Sequence, residues 1–363
     1  SGGKEPGMKR EFTKEDTLLV KGMAVLCLLF YHLFEHYERV SVMQVDYRPF
    51  SIDTFLLLSG FGNICVAVFA FLSAYGIVKG IMAAEEKADM PTPMQALYKQ
   101  AVGRYLKLTA HFSAMFISVN ILWFYKFNYM GLYGYGWQGI LYGLVDALGL
   151  AGTYKTPTIN QTWWYMELAI LIIFLTPLLD YAAKKMGNYI ILLGVLLPVT
   201  LTLNPDVKRY YFVVLFGVAA ARGSWFEKLF AIKISGAIQG ICGVLLLAVC
   251  VVVRQNYVIY HEFGYLVDAP VALVFSWFGA GVLSRLAGIR KALCCLGRHS
   301  MNIYFVHTFF YMAIYQEFIY SFRYAGLIFA VLLICSLAYS MVLEGIKKRI
   351  GFNRLLAFTG RMF

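Results

Sequence analysis

The chain has 363 residues, of which 60% are hydrophobic and only 14% are charged, and its mean hydropathy is +0.66. A soluble protein carries about 25% charged residues, so this composition excludes a soluble globular protein and indicates a polytopic membrane protein. The formal net charge of +12 is explained by membrane topology and anionic lipid, and it does not indicate nucleic-acid binding.

Ten apolar segments are predicted to be membrane-spanning helices. In chain order they are 17–36, 53–79, 103–126, 163–183, 188–204, 208–222, 234–254, 265–286, 299–321 and 324–346. An eleventh stretch, 136–152, offers about 14 helical residues, fewer than the roughly 20 that a span needs, and predicts a short re-entrant or interfacial helix. The expected fold is therefore an all-α, polytopic integral membrane bundle of about ten transmembrane helices.

The basic residues predict the topology. With both termini cytoplasmic, 23 lysines and arginines fall in cytoplasmic segments and eight in outer segments, among them Arg209 and Arg254. This bias follows the positive-inside rule and would largely vanish if 136–152 crossed the membrane. We predict a cytoplasmic tail at 1–16, whose first residues resemble a tag remnant, one membrane domain at 17–347, and a basic cytoplasmic tail at 348–363.

His32 lies in the first predicted span, eleven positions after Lys21. Eleven residues make three helical turns plus about 20°, so the two side chains share one face, about 16 Å apart along the axis. A cation and an imidazole are costly inside a membrane and by default indicate a functional site, so we predict that His32 is catalytic. Glu35 and His36 either orient or deprotonate His32, or form only the wetted end of the span.

On the third span, Arg104, Lys107 and His111 share one helix face at i, i+3 and i+7. With Lys21, the first two either form a cationic mouth for a phosphorylated ligand or lie at headgroup level and set the topology. His111 is predicted to be a buried polar contact. In the second span, Ser73 sits in an aromatic frame, although close helix packing also explains small residues there.

The later spans hold further candidates. Trp163 and Trp164 begin one span and are typical of an interfacial aromatic belt, whereas Glu167, just inside it, is a candidate functional carboxylate. Asn302 and His307 lie inside the ninth span, and each is either functional or satisfied by an interhelical contact. The seven cysteines show no paired extracellular spacing, so we expect no disulfide and no metal site. The sequence has no P-loop, dinucleotide, HExxH or GxSxG motif.

The stretch from Lys21 to His32 resembles the family-3 membrane acyltransferases, whose first span has a basic residue, ten residues and then a histidine. Three later segments are similar to further signatures of that family, namely 71–75, 163–166 and 300–307. The resemblance runs in order over about 15–350. Lys21 stands where arginine is commoner, and Ala74 stands where glycine is commoner.

The resemblance implies an enzyme that takes an acyl group, usually acetyl, from cytoplasmic acyl-CoA and places it on a hydroxyl of a glycan or lipid-linked sugar. It implies that His32, with Glu35 beside it, is catalytic, as a general base or a transient acyl carrier. The residues assigned to acyl-CoA are Lys21, Arg104, Lys107, Ser73 and Tyr75. The residues assigned to the acceptor pocket, near 36–53 and 136–165, are Trp163, Trp164, Glu167, Asn302 and His307. The expected location is a bacterial plasma (inner) membrane, among lipids, with no metal and no nucleic acid.

Two other functions are compatible with the same spans. A proton-coupled transporter or exporter of a small solute or glycan would also use intramembrane histidines. The lack of a visible inverted repeat and the few intramembrane carboxylates disfavour it. A membrane sensor without turnover is the third possibility.

Overall fold

A computed structural model describes residues 10–200, 205–352, 354 and 356. In that part of the chain the fold is all-α, and a lone β-bridge joins Asp46 to Tyr324. The helices of the first half are α1 (Lys14–Phe34), α2 (Tyr37–Val42), α3 (Ile52–Gly62), α4 (Ile64–Ala88), α5 (Met94–Trp123), α6 (Tyr129–Tyr133), α7 (Gly136–Ala147) and α8 (Tyr165–Met186).

The second half continues with α9 (Ile190–Thr200), α10 (Pro205–Arg222), α11 (Trp225–Phe230), α12 (Gly236–Gln255), α13 (Tyr257–Gly281), α14 (Ala287–Thr308), α15 (Gln316–Tyr320) and α16 (Ala325–Arg349). Short 3-10 helices lie at Phe124–Lys126, Gln161–Trp164, Gly187–Tyr189 and Leu283–Arg285. A π-helical turn, Phe309–Ala313, follows α14.

The all-α, polytopic prediction is confirmed. Seven helical segments of the described chain are long and apolar enough to cross a membrane, and each coincides with predicted spans. The expected short helix is also present, because α7 has 12 residues, about 18 Å in length. The count of ten spans and the cytoplasmic placement of the termini stay predictions, and most of both tails, 1–9 and 357–363, lies outside the described residues.

The chain divides into two compact units built from interleaved segments. Unit 1 takes the chain up to Tyr31, then Leu57–Ala83 and Leu178–Ser300. Unit 2 takes His32–Leu56, Ala84–Pro177 and the chain from Met301 onward. Every passage from one unit to the other lies within a helix, namely α1, α3, α4, α8 or α14. The single membrane domain at 17–347 stays a prediction.

The second predicted span, 53–79, is not one continuous helix, because it is interrupted at Asn63 between α3 and α4. Carbonyl groups at the end of a helix need partners from outside it. Here Arg254 of α12 donates from Nη1 to the Phe61 carbonyl at 3.1 Å. The Asn63 side chain donates from Nδ2 to the Tyr31 hydroxyl at 3.1 Å. Side chains from α1 and α12 therefore stabilise the interruption.

Unit 1 contains a buried ionic network on three helices. Arg254 donates from Nε to Asp268 Oδ1 at 2.7 Å, and Arg209 Nε lies 3.8 Å from Asp268 Oδ2. The Tyr260 hydroxyl accepts from both arginines, at 2.7 and 3.0 Å. The expectation that Arg254 is a loop cation is wrong, since it lies on α12 and is only 6% exposed. Because Asp268 is fully buried, removing it would strand two cations.

Two glycines let α1 and α14 touch backbone to backbone within unit 1. A Cβ atom at Gly22 would overlap the carbonyl oxygen of Leu293, and a Cβ at Gly297 would overlap that of Leu18. Leu293 lies one helical turn before Gly297, and Leu18 lies one turn before Gly22. This offset arises because each Cβ atom tilts toward the N-terminus of its own helix. The two helices therefore run parallel, with Gly22 level with Gly297, and small residues serve the close approach that is typical of membrane helices.

Gly22→Ala and Gly297→Ala are each expected to destabilise the protein by about 1–3 kcal/mol, because the new methyl meets backbone that cannot rotate away. Gly76→Ala on α4 is the matched control, since no atom lies within 4 Å of its Cβ position and alanine favours a helix by up to about 1 kcal/mol. Thermal unfolding of the three purified variants measures the difference. Equal melting temperatures for all three would refute the contact.

The ninth predicted span, 299–321, also differs from a plain helix. The helix α14 begins at Ala287 and ends at Thr308, the π-helical turn follows, and α15 is a separate short helix. In the π-helical turn, Ile314 donates to the Phe309 carbonyl at 2.9 Å, a bond that spans five residues instead of four. Such turns interrupt the regular hydrogen-bond ladder and are frequent at functional sites.

Candidate active site

Unit 2 brings His32 and His307 together. The two ring centroids lie 4.9 Å apart, with the rings tilted by 46°. Tyr311, in the π-helical turn, stacks on His307 at 5.8 Å and lies 6.2 Å from His32. His32 is half-buried and His307 is fully buried. Two residues that the sequence assigned to different roles, catalysis and the acceptor pocket, thus form one imidazole pair.

The tautomer of His307 follows from its backbone contacts. Its Nδ1 lies 2.8 Å from the Tyr304 carbonyl oxygen and 3.1 Å from that of Ile303. A carbonyl oxygen only accepts, so Nδ1 carries a proton and, in the neutral ring, Nε2 carries a lone pair. That Nε2 is buried and has no hydrogen-bond partner among the described residues. His307 therefore presents an acceptor nitrogen in a buried position beside His32.

The loop before α8 docks on the same turn of α14. Trp163 donates from Nε1 to the Phe305 carbonyl at 2.9 Å, and Asn160 donates from Nδ2 to the Thr308 hydroxyl at 2.6 Å. Both acceptors lie next to the point where the π-helical turn disturbs the helix. Trp163 is buried, so it serves as a structural contact to α14 as well as a wall of the site. This differs from the interfacial belt that the sequence predicts for it.

A cavity of about 140 Å³ opens in unit 2 beside this loop. Three of the predicted acceptor residues, Trp163, Trp164 and Glu167, line it. The remaining lining residues are Asp146, Gly149, Ala151, Gly152, Thr156, Thr158, Asn160 and Gln161. The cavity wall is attached to the helix that carries His307. Two wall residues, Trp163 and Asn160, donate hydrogen bonds to residues on either side of His307 in α14. The other two predicted acceptor residues, Asn302 and His307, are not part of the lining.

Asp146, on the short helix α7, anchors the cavity. Its Oδ2 accepts from the Tyr133 hydroxyl at 2.7 Å and from the Ile159 backbone N–H at 2.9 Å. Burial raises the pKa of Asp146, and these hydrogen bonds offset part of that effect. The carboxyl group thus ties α6 and α7 to the loop that carries Asn160. The sequence analysis assigned Asp146 no role.

Glu167 lies in the first turn of α8, where the helix dipole favours a carboxylate. Its side chain is half-buried and packs directly over Gly152, because a Cβ atom at Gly152 would overlap Oε1. The glycine in the loop therefore makes room for the carboxylate at the cavity wall. The sequence alone does not reveal this steric contact, because the two residues lie fifteen positions apart in the chain.

Asn302 belongs to a polar cluster with α16. Its Nδ2 donates to the Ser340 hydroxyl at 2.9 Å and to Glu344 Oε1 at 2.8 Å. Glu344 also pairs with Lys347, whose Nζ lies 3.0 Å from His111 Nδ1. This cluster gives His111 the polar contact expected of it and satisfies Asn302 in part, since the Oδ1 of Asn302 is buried without a partner in the described chain. The sequence analysis missed Glu344 and Lys347.

The predicted donor residues are distributed over both units. Arg104 and Lys107 lie one turn apart on α5, in unit 2, and Lys21 lies on α1, in unit 1. Lys107 is exposed and Lys21 is half-buried. Arg104 is also half-buried, and its Nη1 is buried with no hydrogen-bond partner among residues 10–200 and 205–352. An orphaned guanidinium nitrogen is a ready donor for an anion.

Ser73 and Tyr75 lie on α4 in unit 1. Tyr75 is buried edge-on against Phe12 at 5.4 Å and Phe226 at 5.3 Å, and its hydroxyl has no partner in the described chain. Ser73 is half-buried. The close helix approach in this region comes from the facing helix, because a Cβ at Gly217 of α10 would lie 2.7 Å from the Phe71 carbonyl oxygen.

Glu35 follows the last residue of α1, and its Oε2 lies 3.7 Å from Nε2 of His36. The two side chains are partly exposed, at 28% and 58%. The described residues contain no cluster of three or more histidine, cysteine or acidic side chains able to hold a metal ion. All seven cysteines are free thiols.

The chain matches a known family. The family model, described as an acyltransferase domain, matches residues 19–344, which is nearly the whole chain. The match includes the imidazole pair, the cavity and all the predicted donor residues. No curated protein and no solved structure matches the chain.

Proposed function

The chain belongs to the acyltransferase 3 family, and from that premise we propose that it moves an acyl group, acetyl being the expected one, from cytoplasmic acyl-CoA to a hydroxyl of a glycan or lipid-linked sugar. The observation that carries this proposal is the imidazole pair of His32 and His307, beside a cavity that holds three predicted acceptor residues. A bacterial plasma membrane is the proposed location.

In the proposed reaction, His32 takes the proton from the acceptor hydroxyl while the oxygen attacks the thioester carbonyl carbon. The carbon–sulfur bond then breaks, and CoA leaves as a thiolate that recovers the proton. The lone pair on His307 Nε2 supports this role, because it would be available to accept a hydrogen bond from the His32 ring once that ring is protonated. In the alternative route a nitrogen of His32 attacks the thioester first and carries the acyl group.

For the donor, we propose that Lys21, Arg104 and Lys107 bind CoA phosphates, with Ser73 and Tyr75 near the acyl-CoA. The buried, unpartnered Nη1 of Arg104 supports its part in this, since a phosphate oxygen would satisfy it. Glu35 is proposed to stabilise the charge of His32 from the end of α1.

Arg104→Met and Lys21→Met are each expected to raise the KM for acetyl-CoA by roughly 10- to 100-fold, with a smaller change in kcat, because each removes a charged hydrogen bond of about 1.5–3 kcal/mol. Lys99→Met is the control, because Lys99 is an exposed cation on the same helix as Arg104. Steady-state kinetics over a range of acetyl-CoA concentrations measures the effect. A KM unchanged from the Lys99 control would exclude a role in donor binding.

The activity itself is tested by incubating the purified protein with acetyl-CoA and acceptor, and measuring released CoA by chromatography. Thiol reagents are unsuitable because the chain carries seven free cysteines. The transporter alternative predicts solute uptake into vesicles without any need for acyl-CoA. Against it stand the ion pairs of two buried carboxylates within helices, since Asp180 and Asp268 each pair with an arginine.

A further inference from the structure

Asn160 lies in the loop before α8, and every hydrogen-bonding group of its side chain is in use. Its Nδ2 donates to the Thr308 hydroxyl at 2.6 Å and to the Phe305 carbonyl at 3.5 Å. Its Oδ1 accepts from the backbone N–H and from the hydroxyl of Thr162, at 3.0 and 2.8 Å. A side-chain amide offers two donor hydrogens and one oxygen with two lone pairs. The Asn160 amide therefore has no group left for a ligand, although Asn160 lines the cavity.

The same loop holds α14 on both sides of His307. Trp163 donates from Nε1 to the carbonyl of Phe305, two residues before His307, and Asn160 donates to the hydroxyl of Thr308, one residue after it. The direction of a side chain on a helix depends on the rotation and the height of its own turn. Two attachments to one turn fix both. The loop therefore holds the direction in which the His307 ring points.

Regular helix structure alone does not hold this turn of α14. The π-helical turn Phe309–Ala313 begins directly after Thr308, and such turns are rare and depart from the usual four-residue hydrogen-bond ladder. The regular part of α14 therefore ends one residue after His307. The loop itself is fixed from behind, because the Ile159 N–H donates to the buried carboxylate of Asp146 at 2.9 Å. The loop is thus the fixed side of the contact with α14.

We propose that Asn160 is a positioning residue for acyl transfer. It acts through Thr308 and Phe305, and it keeps the Nε2 lone pair of His307 beside the His32 ring. The inference rests on the proposed function, in which that lone pair supports the protonated His32 ring. Without the Asn160 amide, the angle and distance between the two imidazoles would change. A displacement of about 1 Å can cost up to about 100-fold in rate.

The Oδ1 of Asn160 also caps the 3-10 helix Gln161–Trp164, which offers a purely structural explanation of this residue. Serine caps helices about as well as asparagine but is too short to reach Thr308, so Asn160→Ser separates the two roles. We expect Asn160→Ser to lower kcat about tenfold and to leave the KM for acetyl-CoA within about twofold, because acyl-CoA is assigned to other residues. Chromatography of released CoA over a range of acetyl-CoA concentrations measures both. A kcat equal to that of the parent would reduce Asn160 to a helix cap.

Variants of Thr308 test the same hydrogen bond from its other end. Thr308→Val keeps the shape and removes the hydroxyl, whereas Thr308→Ser keeps the hydroxyl. We expect Thr308→Val to lower kcat about tenfold and Thr308→Ser to retain at least about half of it. The double variant Asn160→Ser/Thr308→Val should lose no more than either single variant, because each removes the same bond. A loss of about 100-fold in the double variant, the product of two independent effects, would contradict the role of this bond.

The NMR signal of the His307 ring gives a readout that needs no turnover. The chain contains six histidines, so labelling histidine alone gives few signals, and the one missing from His307→Gln is that of His307. In lipid nanodiscs without acyl-CoA, we expect this signal to shift in Asn160→Ser. It should stay unchanged in Tyr129→Phe, the control, which removes a hydrogen bond of the same length, 2.6 Å to Asn120, elsewhere in unit 2. An unshifted signal in Asn160→Ser overturns the proposal.

The two proposals fail separately. If the His307 signal shifts in Asn160→Ser but the parent never releases CoA from acetyl-CoA, the acyltransferase proposal fails, and Asn160 still holds His307. If the parent releases CoA and a folded Asn160→Ser protein retains its kcat, the positioning role fails alone. Should Asn160→Ser not fold, the comparison of Thr308→Val with Thr308→Ser decides, and equal kcat values in these two variants overturn the proposal.

Discussion

His32→Ala is expected to lower the rate of acyl transfer by about 100- to 10,000-fold while leaving the protein folded. A positioned general base contributes about that much to a rate, and an acyl carrier would contribute more. The imidazole is half-buried and pairs with His307 at 4.9 Å, so its loss removes the group that takes the proton from the acceptor hydroxyl. Released CoA, measured per minute at saturating acetyl-CoA, gives the effect directly.

The matched control is His261→Ala, since His261 is a histidine whose side chain is 65% exposed on α13. It should retain full turnover. Thermal unfolding of both variants separates a chemical effect from a loss of folded protein. Turnover within threefold of the parent in a folded His32→Ala protein would end the assignment of His32, and the acyl-carrier route would fall with it.

Asp268→Ala is expected to destabilise the protein by about 3–5 kcal/mol. Removing one partner of a buried ion pair leaves an uncompensated charge, and here it leaves two, on Arg254 and Arg209. Asp268 is fully buried and Arg254 is 6% exposed, so water does not replace the lost carboxylate. Thermal unfolding in lipid nanodiscs should show a large fall in Tm, or no folded protein should be recovered.

Two variants make this result specific. Glu262→Ala removes an exposed carboxylate from the same helix and should change stability by less than about 0.5 kcal/mol. Replacing both Asp268 and Arg254 by hydrophobic residues should recover part of the loss, because the buried charge is then reduced as well. Equal melting temperatures for Asp268→Ala and Glu262→Ala would contradict a structural role for the network.

Helical periodicity predicted the features of the site that depend only on residue positions along a single helix. It placed Lys21 and His32 on one face, and the cost of charge in a membrane selected His32 and His307 as candidates. That the two rings meet could not be predicted, because helix pairing in unit 2 depends on contacts far apart in the chain. The tautomer of His307 likewise follows from backbone geometry and not from residue type.

Other features were outside the reach of the sequence for a similar reason. Asp146 and Glu167 form one cavity wall only because α7, the loop and α8 fold together. Lys347, the last residue of the predicted membrane domain, is buried against His111 and Glu344, a contact that the sequence does not show. The interruption at Asn63 follows Gly60 and Gly62, a signal that the long apolar run of the predicted span 53–79 obscured, and side chains from α1 and α12 stabilise it.

The spacing of the two histidines acquires a meaning from the glycine contact between α1 and α14. His32 follows Gly22 by ten residues, and His307 follows Gly297 by the same ten. Because the helices run parallel from level glycines, equal spacing brings the imidazoles to equal heights, about 15 Å further on. The equal intervals of ten residues therefore set the matching heights of the two imidazoles. Inserting one residue between the glycine and the histidine of either helix would rotate that histidine by about 100° about the helix axis.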